Sequence, residues 1–260
     1  MGALRRDFLV ADLMAETASA RVDYTVAVQA RQSLEETREL LSVADANELV
    51  AGVVGWLPID DAARLAAALE AWGGHPALVG VRHVVEDEPE GFLDRREFNE
   101  GIVTLRAYHL TYDLLVRADQ LPEAIAFVDR HPEQRFVLDH LAKPRVALGE
   151  IEPWRSDLLR LGERPNVWCK VSGLATEADW GRWSATSLRP YLDTAMEAFG
   201  AGRLLAGSDW PVCLVACEYA RWWKVLRDYF GDFSRVERAG IFGGNAMDVY
   251  RIADPEKRRA

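Results

Sequence analysis

The stretch Arg203-Leu204-Leu205-Ala206-Gly207-Ser208-Asp209-Trp210-Pro211-Val212 decides how this chain is read. An apolar run enters a turn of small residues that carries one carboxylate, and Trp-Pro then ends the strand. A parallel barrel delivers catalytic side chains in this way, to the C-terminal ends of its strands, where they face the mouth. A carboxylate placed there serves as a base or a metal ligand. Taken alone the motif is also a capped turn, so its meaning depends on what precedes it.

Six more short β-rich runs precede it: Val22 to Gln29, Val50 to Leu57, Leu78 to Val85, Thr111 to Val116, Arg135 to His140 and Val167 to Val171. Between them the hydrophobic period changes to that of a helix, in Leu34 to Val43, Asp61 to Trp72, Arg96 to Ala107, Leu121 to Arg130, Glu152 to Leu161 and Leu188 to Phe199. Pro122, Pro132, Pro153, Pro165 and Pro190 fall at or near the ends of these helices, where proline is tolerated. Strict β/α alternation predicts an α/β fold with a parallel sheet and right-handed crossovers. No GxGxxG or GxxxxGK[ST] follows the first strand, which removes the nucleotide-binding open sheet. Polar residues at nearly every strand end, not at one switch point, favour a (β/α)8 TIM-barrel. Only seven strands are found, and Leu4 to Leu13 reads as the approach to a first helix, so the first strand of the barrel is expected to be lacking.

The 260 residues, 49% of them hydrophobic, suit one domain over 1–260 with a large core. A formal charge of -10 and the lack of a basic cluster argue against nucleic acid as a partner. No apolar run is long enough to span a membrane, and no signal-peptide pattern follows Met1 to Arg6, so a cytoplasmic protein is expected. Cys169, Cys213 and Cys217 make neither a disulfide framework nor, without a second pair, a zinc site.

The strand ends supply Gln29, Arg82 and His83, Asp113, Asp139 and His140, Lys170 and Ser172, then Ser208 and Asp209. Ionisable groups repeated at one end of buried strands are costly unless a site uses them. Alternation forbids both members of Arg82/His83 or Asp139/His140 from pointing inward on a regular strand. The reading places His83 and His140 toward the mouth and Asp139 outward, with Arg82 reaching in where its strand breaks up. Asp113 either contacts substrate or supports a residue that does. Lys170 either pairs with an acid or meets a substrate oxygen. His75 and His131, beside loop prolines, are expected in solvent.

Five motifs carry a resemblance over about Asp7 to Ile252: Arg82-His83, Phe136 to Pro144, Asn166 to Leu174, Gly207 to Val212 and Gly244 to Tyr250. In that order they resemble the amidohydrolase family 2 group, most closely its sugar-lactone hydrolases, such as L-fuconolactonase and L-rhamnonolactonase. The resemblance implies a distorted barrel and an opening strand that ends in a His-x-His pair. This chain has no His-x-His, and its first histidine is His75. A start codon assigned too far downstream, or a truncated copy, would explain that.

By the same resemblance, Asp209 activates water for attack on a lactone carbonyl, and His140, Arg82 or a divalent metal stabilises the oxyanion. His83 and Lys170 position the ring, with Asp113 and Trp210 also on the substrate side. Zinc is the family's expected cofactor, but Asp209 and His140 are the ligands left here, so metal binding is expected to be weak or absent. The expected partner is a small sugar lactone. An open barrel edge also predicts poor solubility or a homodimer. Alternative readings are a related amidohydrolase or decarboxylase on the same barrel, or an inactive remnant.

Overall fold

Branched and small apolar residues dominate the strand runs, as required of strands covered on both faces. The computed structural model describes residues 2–253. Met1 and residues 254–260, the extremes of the single domain expected from sequence, lie outside the described residues. Seven parallel strands lie side by side in chain order: β1 Thr25–Val28, β2 Val50–Gly55, β3 Leu78–His83, β4 Thr111–Leu114, β5 Phe136–Leu138, β6 Val167–Val171 and β7 Leu204–Ala206. Several are shorter than their apolar runs. The chain leaves the ladder where polar residues begin, as at Asp139 after β5.

The crossovers are α1 Val10–Ala20 ahead of β1, then α2 Leu34–Ala46, α3 Ala62–Trp72, α4 Arg96–Ala107, α5 Leu121–Arg130, α6 Trp154–Gly162 and α7 Ala185–Phe199. After β7 come α8 Tyr219–Tyr229, α9 Arg235–Ala239 and α10 Asn245–Val249. Side-chain oxygens of Ser33, Asp61 and Ser184 accept from the free amides that open α2, α3 and α7. The Ser184 cap starts α7 ahead of its apolar stripe, so Pro190 lies inside the helix and not near its end.

Two apolar layers follow from the alternation of side chains. The larger fills the space between sheet and helices. The smaller joins Val54 of β2, Val79 of β3, Val137 of β5 and Leu205 of β7 with Val249, Tyr250 and Ile252. Strands that far apart in the row share one cluster only if the sheet curls around it. The chain end closes this lumen where the strands begin: Thr111 Oγ1 donates to the Val249 carbonyl at 2.8 Å, and Asn245 Nδ2 donates to those of Ala201 and Leu204. Curling stops short of closure among the described residues, because β1 and β7 each have one strand neighbour. The turn Gly2–Leu4 packs by Val212–Val215, and α1 packs on α8, beside this opening. No helix of the described residues is long and apolar enough to cross a membrane.

Candidate active site

Arg82 of β3 and Asp113 of β4 are level in the sheet, and both side chains enter the lumen with Lys170 of β6. Asp139, one residue past β5, joins them. Lys170 Nζ lies 2.5 Å from Asp113 Oδ2 and 2.6 Å from Asp139 Oδ1, and Arg82 Nη1 donates to Asp139 Oδ2 at 2.7 Å. Arg82 Nη2 donates to the Gln29 carbonyl, and Gln29 Nε2 returns a bond to that of Arg82, tying β1 to β3. Two cations and two carboxylates thus neutralise each other in a space where both carboxylates are fully buried. Buried charges persist only when paired in this way.

Burial pushes the Asp113 carboxyl up to about 6 against the pull of Lys170. Burial acts on Asp139 too, yet Lys170, Arg82 and His140 together hold it below the ordinary carboxylate range. The carboxylates in turn outweigh burial at Lys170 and Arg82, keeping both above their ordinary values. Both cations stay charged at neutral pH.

Asp139 therefore faces inward, contrary to the outward placement read from sequence. The strand ends at Leu138, and His140, Leu141, Ala142 and Lys143 all have positive φ, between 49° and 58°. This left-handed turn breaks the two-residue alternation, so Asp139 and the His140 ring both serve the same rim. Each such non-glycine residue costs roughly 1–2 kcal/mol, a strain of the kind found at functional sites. His140 Nδ1 lies 2.8 Å from Ser172 Oγ, and its Nε2 lies 3.7 Å from Asp209 Oδ1. Gly173 makes room: a Cβ there would stand 2.8 Å from His140 Cβ, and its φ of +72° already disfavours other residues. Asp209 itself has φ 56°, and its side chain is 17% exposed.

His83 is not part of this constellation. Its side chain faces the helix layer, stacks on Phe92, meets Phe98 edge-on, and bonds Glu88 Oε1 through Nε2 at 2.8 Å. Regular alternation on β3 sends Arg82 inward and His83 out, which corrects the mouth-facing position read from sequence. Trp210 is half-buried against Phe8 of the N-terminal segment, with ring centroids 5.3 Å apart. His131 is also corrected: it is buried beside Phe127 and bonded through Nε2 to Asn99 Oδ1 at 2.8 Å, not solvated.

Sequence reasoning missed four participants. Tyr250 Oη donates to both oxygens of Asp113, at 3.0 and 2.8 Å. At the rim, Lys143 pairs with Glu86 at 2.5 Å. Glu177, electrostatically linked to Lys143, Glu86 and Asp209, is raised above its ordinary value by burial. Helical or strand period says nothing about a turn such as Val85–Asp87, and Tyr250 looks like any aromatic at a helix end. Its signal lay only in the closing motif.

Among the described residues no group of three or more His, Cys, Asp or Glu side chains converges to hold a metal. His140 and Asp209 make a pair, short of the three protein ligands usual for catalytic zinc. The residues present do not fit such a centre.

Parallel strands curled around a lumen, with ionisable groups gathered at their C-terminal ends, define a (β/α)-barrel enzyme. The chain belongs to the amidohydrolase family, whose model, described as Amidohydrolase, matches residues 2–252. It is 38% identical to an L-fucono-1,5-lactonase of Burkholderia multivorans over its whole length and 91% of that protein. It is 36% identical to an L-fucono-1,5-lactonase of Burkholderia ambifaria, over 98% of this chain and 89% of the relative. Crystal structures of an amidohydrolase from Burkholderia multivorans, one with bound HEPES and one with bound zinc, superpose with a TM-score of 0.92 at 38% identity. They cover 97% of this chain and 92% of that one.

Proposed function

We propose that this chain hydrolyses a sugar lactone of the L-fuconolactone type. The observation that carries the reading is the rim that joins His140 and Asp209 to the Arg82–Asp139–Lys170–Asp113 network. Relatives named as L-fucono-1,5-lactonases at 36–38% identity support the substrate class.

Asp209 takes a proton from water, whose oxygen attacks the lactone carbonyl carbon. The Nε2 side of His140 and the guanidinium of Arg82 are the donors for the oxyanion. Collapse breaks the bond from the carbonyl carbon to the ring oxygen, and Asp209 returns its proton to that oxygen. Lys170 Nζ donates to Asp113 and pairs by charge with Asp139 at 2.6 Å, which leaves a hydrogen for a ring hydroxyl or the new carboxylate. Trp210 bounds the substrate on the β7 side. His83 takes no part, since it faces the helices. Zinc held by His140 and Asp209 alone would be weakly bound.

Asp209→Asn keeps the size of the side chain and removes the base. We expect kcat for L-fucono-1,5-lactone opening to fall at least about 100-fold, as is typical on loss of a general base. Proton release recorded with a pH indicator measures it, and an unchanged rate rejects Asp209 as the base. The same reading takes the chain as one cytoplasmic domain that self-associates through its open side.

A further inference from the structure

Tyr250 enters the lumen from the end opposite the mouth. It follows α10, which is anchored by Thr111 Oγ1, by Arg135 Nη1 on the Asp248 carbonyl at 2.5 Å, and by Asn245. The ring passes Gly80, where a Cβ would lie 3.5 Å from Tyr250 Cε1, and the hydroxyl ends on both oxygens of Asp113. Asp113 has two partners, Tyr250 below and Lys170 above, and Lys170 is the one that reaches the mouth, with its side chain 13% exposed.

We propose that Tyr250 is a positioning residue of the proposed lactonase, acting through Asp113 to aim the Lys170 ammonium at the substrate. This rests on the functional reading above. Among the described residues only Lys170 also bonds the carboxylate that this hydroxyl donates to, so the hydroxyl keeps Asp113 ionised and oriented. An ionised Asp113 holds Lys170 midway between two carboxylates, and its third hydrogen then points to the mouth. If Asp113 takes a proton, Lys170 is drawn to Asp139 alone and that hydrogen turns away. The charged and titratable groups facing Asp113 are Lys170 of β6, Asp139 beyond β5, Arg82 of β3 and Tyr250, while its neighbour Tyr112 points into the helix layer. Only Tyr250 comes from outside the sheet and its strand ends.

The test is Tyr250→Phe in the full chain, which removes one oxygen and leaves the ring. Loss of a donor to a carboxylate raises its pKa. The Asp113 carboxyl signal in 13C NMR, assigned by its loss in Asp113→Asn, is therefore expected to titrate about one unit higher than in the wild type. The acid limb of kcat/KM for L-fucono-1,5-lactone moves up with it. At pH 7 KM rises about twofold, and at pH 5, below both titrations, about tenfold, while kcat stays within about threefold. A hydroxyl that only fills space would lower Tm and leave both titrations in place, which overturns the proposal. A shifted carboxyl signal with an unmoved acid limb in an active enzyme also overturns it. If the wild type opens no lactone, the functional reading alone falls. The proposal then stands or falls on whether the Lys170 15Nζ signal follows Asp113 in the wild type and shifts in Tyr250→Phe.

Discussion

Asp139 shows how one residue's surroundings set its worth. On the surface, its replacement would change stability by less than about 0.5 kcal/mol. In the structure it is fully buried between Arg82 and Lys170, at 2.7 and 2.6 Å. Asp139→Asn would leave two buried cations facing the single carboxylate of Asp113. Breaking a buried pair in this way costs about 3–5 kcal/mol. Urea unfolding followed by tryptophan fluorescence is expected to show a loss of that size, and a loss below about 1 kcal/mol would return Asp139 to the outside. The residue types around the site were legible in the sequence, since Arg82, Asp113, His140, Lys170 and Asp209 were all marked by their place at strand ends. Their orientations were not: β3 alternates regularly yet sends His83 outward against the reading, and past Leu138 alternation itself fails. The left-handed run from His140 to Lys143 contains no glycine, so nothing local announced that alternation fails there.

At the scale of elements, α5 and its C-terminal His131 carry a pH dependence of stability. Burial of the His131 ring, aided by Arg130 and Arg106, lowers it to about 4. A histidine depressed in the folded state contributes stability that is present above its unfolded value near 6.5 and lost as pH falls toward 4. The full shift corresponds to about 3 kcal/mol. Between pH 7 and pH 4, His131→Gln is expected to lose less stability than the wild type by a margin of that order. Parallel denaturant titrations at the two pH values measure it, and equal losses would place His131 in solvent after all. Helix limits were readable from the apolar stripe in α4 and α5, which no side-chain cap opens, and from stripe and Asp61 cap together in α3. They were misread at α7, where the Ser184 cap starts the helix before its first large apolar residue.

At the scale of the molecule, the row of seven strands among the described residues leaves an outer edge on both β1 and β7. Exposed strand edges pair with other chains unless something covers them, and β1 is only partly buried along its length. A second copy of this chain is the expected occupant. Sedimentation velocity across a range of concentrations is expected to show a monomer–dimer equilibrium, and a single monomer peak at about 100 μM would reject it. The network inside the lumen also exists only at this scale. Tyr250 and Asp113, 137 positions apart in the chain, meet because the terminal segment closes the end of the barrel where strands begin.

Sequence alone determined the alternation of strands and helices, the parallel order and the list of ionisable groups at the strand ends. All of these follow from local period and composition. Only the tertiary structure decided which of those groups meet. It turned Asp139 inward and His83 outward, gave Asp113 its partner in Tyr250, and set His140 against Ser172 and Asp209. Curling the sheet brings side chains from distant strands within hydrogen-bond reach, and the energy of each buried charge depends on those neighbours, not on the residues beside it in the chain.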